Sequence, residues 1–250
     1  MADTAEFTGR VAVVTGGSEG IGYDFCRTLC EAGCEVYFCS RSQEKGHLAA
    51  KALGRCAHYF QADLAEPGQI KAFAAHVGES VGRIDYLVNN AANDDRIRFD
   101  ELTAEECDRM WNLNLRSFLL MSRACLDLLR KGQGKSIVNI STTNYMFGFE
   151  PFTIYNATKS GILGFTRSLA RELGPEDMRV NMISPGWIMT EKQLRKYVSE
   201  EDKKELLRDQ CVKHLIEAKH VSPVMLFLLS SAAGAISGQN LVVDGGKYFQ

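Results

Sequence analysis

The sequence predicts an α/β fold: a single-domain, doubly wound parallel sheet flanked by helices on both faces. Three observations predict it. Short, almost wholly apolar runs recur along the 250 residues, as strands buried on both faces require. Longer amphipathic stretches of helical period separate them, the alternation that builds βαβ units with right-handed crossovers. No linker, repeat or low-complexity segment interrupts the series, so residues 1–250 read as one domain.

The elements follow in order. Arg10–Thr15 (RVAVVT) reads as a buried strand and Gly20–Ala32 as the helix after it. Glu35–Cys39 and Ser42–Leu53 repeat the pair. Further strands fall at Ala57–Gln61, Ile84–Val88, Ser136–Ile140, Arg179–Ile183 and Leu241–Val243. Helical patterns occupy 66–79, 103–131, 153–173 and 221–230. Residues 187–217 are polar, helical in character and unnecessary to the sheet, and are expected to form a lid over the ligand crevice.

Composition narrows the function. Lys and Arg total 29 against 31 Asp and Glu, a net charge of −2. No basic stripe suits nucleic acid. The longest apolar runs, such as Met225–Leu229, are too short for a bilayer. Met1–Gly9 has no apolar h-region, so the expected location is cytoplasmic. The eight cysteines contain no Cys-x-x-Cys pair and read as reduced core thiols, with Cys26 and Cys30 on one helix face. The five histidines lack ligand spacing, and no metal site is expected.

Thr15-Gly16-Gly17-Ser18-Glu19-Gly20-Ile21-Gly22 follows the first strand and opens the first helix. Glycines there let backbone N–H groups approach a pyrophosphate, and the helix N-terminus behind them favours anionic oxygens. A Walker loop is excluded, because Gly22 is followed by Tyr23 and not Lys. The arrangement predicts a Rossmann-type dinucleotide site.

Taken with four further motifs, this loop resembles that of the short-chain dehydrogenase/reductase family, from Gly9 to Gly246. The family's Thr-Gly-x3-Gly-x-Gly is matched, as are Asn89-Asn90-Ala91, Asp63-Leu64, Ser184-Pro185-Gly186 and Val243-Asp244-Gly245-Gly246. The resemblance implies a nicotinamide cofactor bound by Gly16, Ser18, Glu19, Gly20, Ile21 and Gly22 in the loop. Asp63 and Leu64 would lie at the adenine and Asn90 at the crevice. Pro185, Gly186, Ile188 and Thr190 would follow the sixth strand. It implies a homotetramer by analogy, and a small-molecule substrate as the only other partner.

Tyr155-Asn156-Ala157-Thr158-Lys159 places a phenol and an ammonium four residues apart, on one helix face. A free phenol, with pKa near ~10, is a poor base at neutral pH. A neighbouring ammonium and a cationic nicotinamide would lower it. The resemblance makes Tyr155 the acid/base and Lys159 its partner, both also contacting cofactor. It assigns Thr142, thirteen residues earlier, to polarising the substrate oxygen, with Ser141 as the fallback; on a strand only one of these neighbours can face the site. It implies that Asn114 holds a water next to Lys159, with Asn112 as its competitor.

The cofactor form rests on Phe38-Cys39-Ser40-Arg41. NAD-binding relatives usually carry an acid at the place of Ser40. A small residue followed by Arg41 suits a 2′-phosphate, whereas Glu19 would repel one. NADP is favoured over NAD.

For the substrate, Asn89 to Arg96 (NNAANDDR) and Gly186–Gln193 look like the matching segments of bacterial aldose 1-dehydrogenases in this family. Asn93 and Arg96 are therefore expected to bind a sugar oxidised at C1 to a lactone. Tyr145, Phe149 and Trp187 form the expected aromatic side of the same site. That aromatic content equally suits reduction of a 3-oxoacyl or bulky ketone. A dinucleotide sensor without catalysis is the third reading, and Tyr155, Lys159 and Asn114 together argue against it.

Overall fold

The computed structural model describes residues 4–249. Its centre is one seven-stranded, wholly parallel sheet in the order β3-β2-β1-β4-β5-β6-β7. The strands are β1 Val11–Thr15, β2 Glu35–Ser40, β3 Ala57–Gln61, β4 Tyr86–Asn89, β5 Ser136–Ile140, β6 Arg179–Pro185 and β7 Asn240–Val243. All seven lie within one or two residues of the predicted strands. The signal was strong because β1 and β5 are buried at every position.

Alternation along β1 divides the core. Ala12 and Val14 pack with Phe25 and Leu29 of α1 (Gly20–Glu31) and with Met225 and Leu228 of α10 (Ala218–Leu229). Val11 and Val13 face the other way, toward Phe73 of α3 (Pro67–Val81) and Met121 of α5 (Ser117–Lys131). Side chains of one strand thus anchor helices on both faces, which is how a parallel sheet is stabilised. All eight cysteines are free, and Cys26, Cys34, Cys39 and Cys125 are buried in these two clusters.

The helix predicted over 103–131 is not continuous. It runs as α4 (Ala104–Trp111), a π-helical turn at Asn112–Arg116, and α5. The extra residue in the turn re-aims Asn114 toward the loop after β4, where its side chain makes two hydrogen bonds, with a third to Thr158. Such bulges gather at functional positions. Helix α2 covers Gln43–Leu53, α6 Asn144–Phe147 and α7 Thr153–Leu173. The segment 187–217 holds two short helices, α8 (Glu191–Lys196) and α9 (Glu200–Asp209), each begun by a capping Thr or Ser side chain. Among the described residues no helix is long and apolar enough to cross a membrane.

Below the sheet, Asp85 is fully buried just before β4. Its carboxylate accepts from the backbone of Val11 at 2.9 Å, Gln133 at 2.7 Å and Gly134 at 3.2 Å. Arg10 and Arg83 approach it at 3.5 and 3.6 Å. One acid thereby ties the starts of β1, β4 and β5.

Candidate active site

The strand order reverses between β1 and β4, the switch point at which open α/β sheets bind ligands. A cleft of about 960 Å³ opens there and runs along the carboxyl ends of the strands. Asn90 closes its floor: its side chain donates to the carbonyls of Thr15 (3.0 Å) and Gly16 (3.3 Å), and Thr15 Oγ1 accepts from the backbone of Asn90 and Ala91.

Gly16, with φ of +69°, turns the chain into the loop. A Cβ on Gly22 would stand 2.1 Å from the Gly16 carbonyl oxygen, so only glycine lets α1 start so close beneath the turn. Helix α1 has no side-chain cap at Glu19, and Ile21 and Gly22 of its first turn line the cleft. Orphan N–H groups at a helix start suit an anion. Ser18, Glu19, Ser40, Arg41, Leu64, Asn90, Pro185, Gly186, Ile188 and Thr190 also line the cleft. The residues therefore fit a dinucleotide. Gly20 and Asp63 do not line it. Gly20 turns at φ +61° beside Thr190. Asp63 spends its carboxylate on the backbone N–H of Ala65, while its neighbours Ala62 and Leu64 face inward.

At the outer end the sequence reading missed Lys45. Placed by the first turn of α2, whose cap is Ser42, its Nζ lies 2.6 Å from Glu19 Oε2. Lys45, Arg41 and Ser40 share this end of the cleft.

Tyr155 and Lys159 sit one turn apart at the start of α7, both buried. Lys159 Nζ donates to the Ile140 carbonyl at 2.9 Å and stands 5.9 Å from the Tyr155 ring centre. Burial pushes Lys159 down to about 7, with the charge of Asp94 opposing. Burial likewise raises the Tyr155 phenol well above its usual range; Asp94 adds to this, and a hydrogen bond with the Thr142 side chain acts against it. In the protein alone desolvation thus outweighs any lowering of Tyr155 by Lys159.

Hydrogen bonding separates Ser141 from Thr142, which both lie just past the end of β5 and both line the cleft. Ser141 Oγ donates to the Lys159 carbonyl at 2.9 Å and so serves the helix. Thr142 Oγ1 accepts from Asn144 N at 3.2 Å and lines the cleft beside Tyr155, leaving its hydroxyl proton to donate.

The geometry places Asn114 behind the loop after β4 and corrects the expectations for Asn93 and Tyr145. Asn114 is fully buried and clamps the peptide of Asn93, accepting from its N–H at 2.8 Å and donating to its carbonyl at 2.9 Å. Its side-chain amide also reaches Thr158 Oγ1, next to Lys159, at 3.4 Å. Asn93 turns its side chain out to Asp95 at 2.6 Å and does not line the cleft. Tyr145 does not line the cleft, whereas Asn144 and Phe147 of the same short helix do.

Asp94 takes the inward place. Its carboxylate receives Lys192 Nζ and, at 2.7 Å, Gln193 Nε2; Gln193 Oε1 in turn accepts from Trp187 Nε1 at 3.0 Å. Arg96 stacks on Tyr197, 4.0 Å from the ring centre, and lies 5.3 Å from that of Phe152. With Phe149 and Trp187 they give the cleft an aromatic lining beside the polar one.

This arrangement, a dinucleotide cradle beside a buried phenol and amine, matches known proteins over the whole chain. The family model described as "Enoyl-(Acyl carrier protein) reductase" matches residues 16–247. A protein of Rhizobium meliloti named "Probable galactose dehydrogenase" is 34% identical over 96% of this chain and 95% of its own. The D-xylose 1-dehydrogenase of Caulobacter vibrioides is 34% identical over 95% of each. A solved short-chain dehydrogenase/reductase from Brucella melitensis, titled glucose/ribitol dehydrogenase, superposes with TM-score 0.92 at 28% identity, covering 98% of this chain and 99% of that one. Fold, cleft and relatives agree that this chain belongs to the short-chain dehydrogenase/reductase family of nicotinamide-dependent oxidoreductases.

Proposed function

We propose that this enzyme oxidises the C1 hydroxyl of an aldose to the lactone, with NADP preferred over NAD. The observation that carries the reading is a cleft at Tyr155 whose lining joins hydrogen-bonding side chains (Asp94, Lys192, Gln193) with aromatic ones (Phe149, Phe152, Trp187). A sugar ring has both faces, hydroxyls at its edge and C–H groups on its plane. The two relatives named for galactose and xylose support the same substrate class.

A bound nicotinamide dinucleotide supplies the acceptor for the hydride leaving C1. Thr142 donates its free hydroxyl proton to the reacting oxygen and fixes its place. Tyr155, as phenolate, takes the hydroxyl proton as the C1–H bond breaks and the carbonyl forms. Lys159, titrating near neutrality, carries that proton onward and, when charged, stabilises the phenolate. Asn114 acts by holding the Asn93 peptide at the cleft edge. Segment 187–217 serves as the lid that excludes water.

The NADP preference draws support from two cations at the ribose end. Glu19, whose charge would repel a 2′-phosphate, is paired by Lys45. Arg41→Ala and Lys45→Ala are each expected to weaken NADP binding by roughly 1–3 kcal/mol while changing NAD about twofold or less. Fluorescence titration with both cofactors checks this; equal losses for both would show that these side chains only stack or shape the loop.

Relatives named 3-oxoacyl-(acyl-carrier-protein) reductase, 31% and 30% identical, favour a second reading, reduction of an acyl ketone. A screen of aldoses, cyclic alcohols and 3-oxoacyl thioesters, followed by nicotinamide absorbance, decides between them. Aldose oxidation is expected to show the highest kcat/KM. Faster reduction of the thioester than oxidation of any aldose would overturn the proposal.

A further inference from the structure

The loop after β4 presents two adjacent acids with opposite fates. Asp95 faces outward and pairs with Arg109 of α4 at 2.8 Å. Asp94 faces inward, with its side chain only 25% exposed. Its orientation is set from both sides. Behind it, Asn114 grips the N–H and the carbonyl of the preceding residue, so the loop cannot rotate there. In front, Lys192 and Gln193 of α8 each take one carboxylate oxygen, and Trp187 holds Gln193. A group fixed by a buried amide, an ammonium, a side-chain amide and an indole is built for one position.

We propose that Asp94 is the residue that selects hydroxylated substrates, its carboxylate accepting a hydrogen bond from the hydroxyl next to the reacting one. This rests on the aldose reading above. An ionised carboxylate has about four acceptor sites, and α8 uses two of them. The remainder belong to a group that lines the cleft together with Tyr155 and Thr142. The negative charge of Asp94 acts on both Tyr155 and Lys159 across the cleft that the three residues share. A hydroxyl donating to a half-buried anion makes a charge-assisted bond. A substrate carrying only C–H there would cover the carboxylate and return nothing, so the site rejects it. Lys192 balances the charge, which makes this wall suited to a neutral polyol.

The same contact joins recognition to the lid. Asp94 touches substrate on one side and α8 on the other, so a sugar that donates to it also braces the residue that Lys192 and Gln193 grip.

Purified enzyme with NADP tests the proposal. The kcat/KM ratio is measured for D-galactose against 2-deoxy-D-galactose, and for 1,2-cyclohexanediol against cyclohexanol, in wild type, Asp94→Ala and Asp94→Asn. Thermal melting and NADP titration report folding and cofactor binding, and the isosteric Asp94→Asn serves where the alanine variant does not fold. The wild type is expected to favour the vicinal hydroxyl by ~10²-fold or more, as for sites that bond a substrate hydroxyl. In Asp94→Ala the ratio should collapse to about threefold or less. A ratio that survives the substitution overturns the proposal, as does an equal loss on all four alcohols, which is what a residue acting only through Tyr155 or the fold would give. If wild type oxidises no sugar but its diol preference collapses in Asp94→Ala, the aldose reading falls and the role of Asp94 stands. If the diol preference persists, both fall.

Discussion

Tyr155→Phe is expected to lower kcat for alcohol oxidation by ~10²-fold or more while leaving dinucleotide affinity within about twofold. The substitution removes one oxygen and keeps the ring that packs against Phe152 at 5.7 Å between centres. Fold and cleft are therefore kept, and the hydrogen bond with Thr142 is lost with the proton acceptor. Thr142 and Lys159 remain, yet neither can substitute. The Thr142 oxygen is far too weak a base, and Lys159 Nζ is bonded to the Ile140 carbonyl beneath the ring. Steady-state kinetics with a nicotinamide titration separate the two effects. A loss under tenfold would mean that another group takes the proton.

Asp85→Ala should destabilise the fold by about 3–5 kcal/mol, because removing one member of a buried charged network strands its partners. Three backbone N–H groups lose their acceptor, and Arg10 and Arg83 lose their counter-charge. For a chain of this size the melting temperature should fall by roughly 6–20 °C. Differential scanning calorimetry measures it. A shift below about 2 °C would show that water replaces the carboxylate without cost.

What could be read in advance follows from the length scale of each signal. Seven strands were legible because a doubly buried strand is apolar at consecutive positions, and Val11–Thr15 or Ser136–Ile140 resembles little else. The π turn at Asn112–Arg116 was not legible, since one inserted residue leaves the helical pattern of Trp111 to Phe118 almost unchanged. Tyr155 and Lys159 were placed correctly on one face because a helix fixes the phase of residues four apart. In the extended loop after β4 no such rule exists, and the phase assumed for Asn93 was off by one: Asp94 points in and Asn93 points out. Tyr145 failed for the related reason that the phase of a one-turn helix is set by what it packs against. Lys45 carried no local signal, since its relevance comes from Glu19, 26 residues earlier in the chain.

Asp85 has one more consequence. It fastens β1, β4 and β5 at their amino ends, while Asp94, Lys192 and Lys45 stand beyond the carboxyl ends. The length of the sheet's strands, four to seven residues, separates the two sets. Changes in the loops at 92–98 or 187–209 therefore do not reach the network that holds the sheet together, and effects at well-separated sites tend to add independently. Such a scaffold is free to drift toward new alcohols by small steps, each judged on turnover alone, because losing a substrate contact does not also unfold the protein.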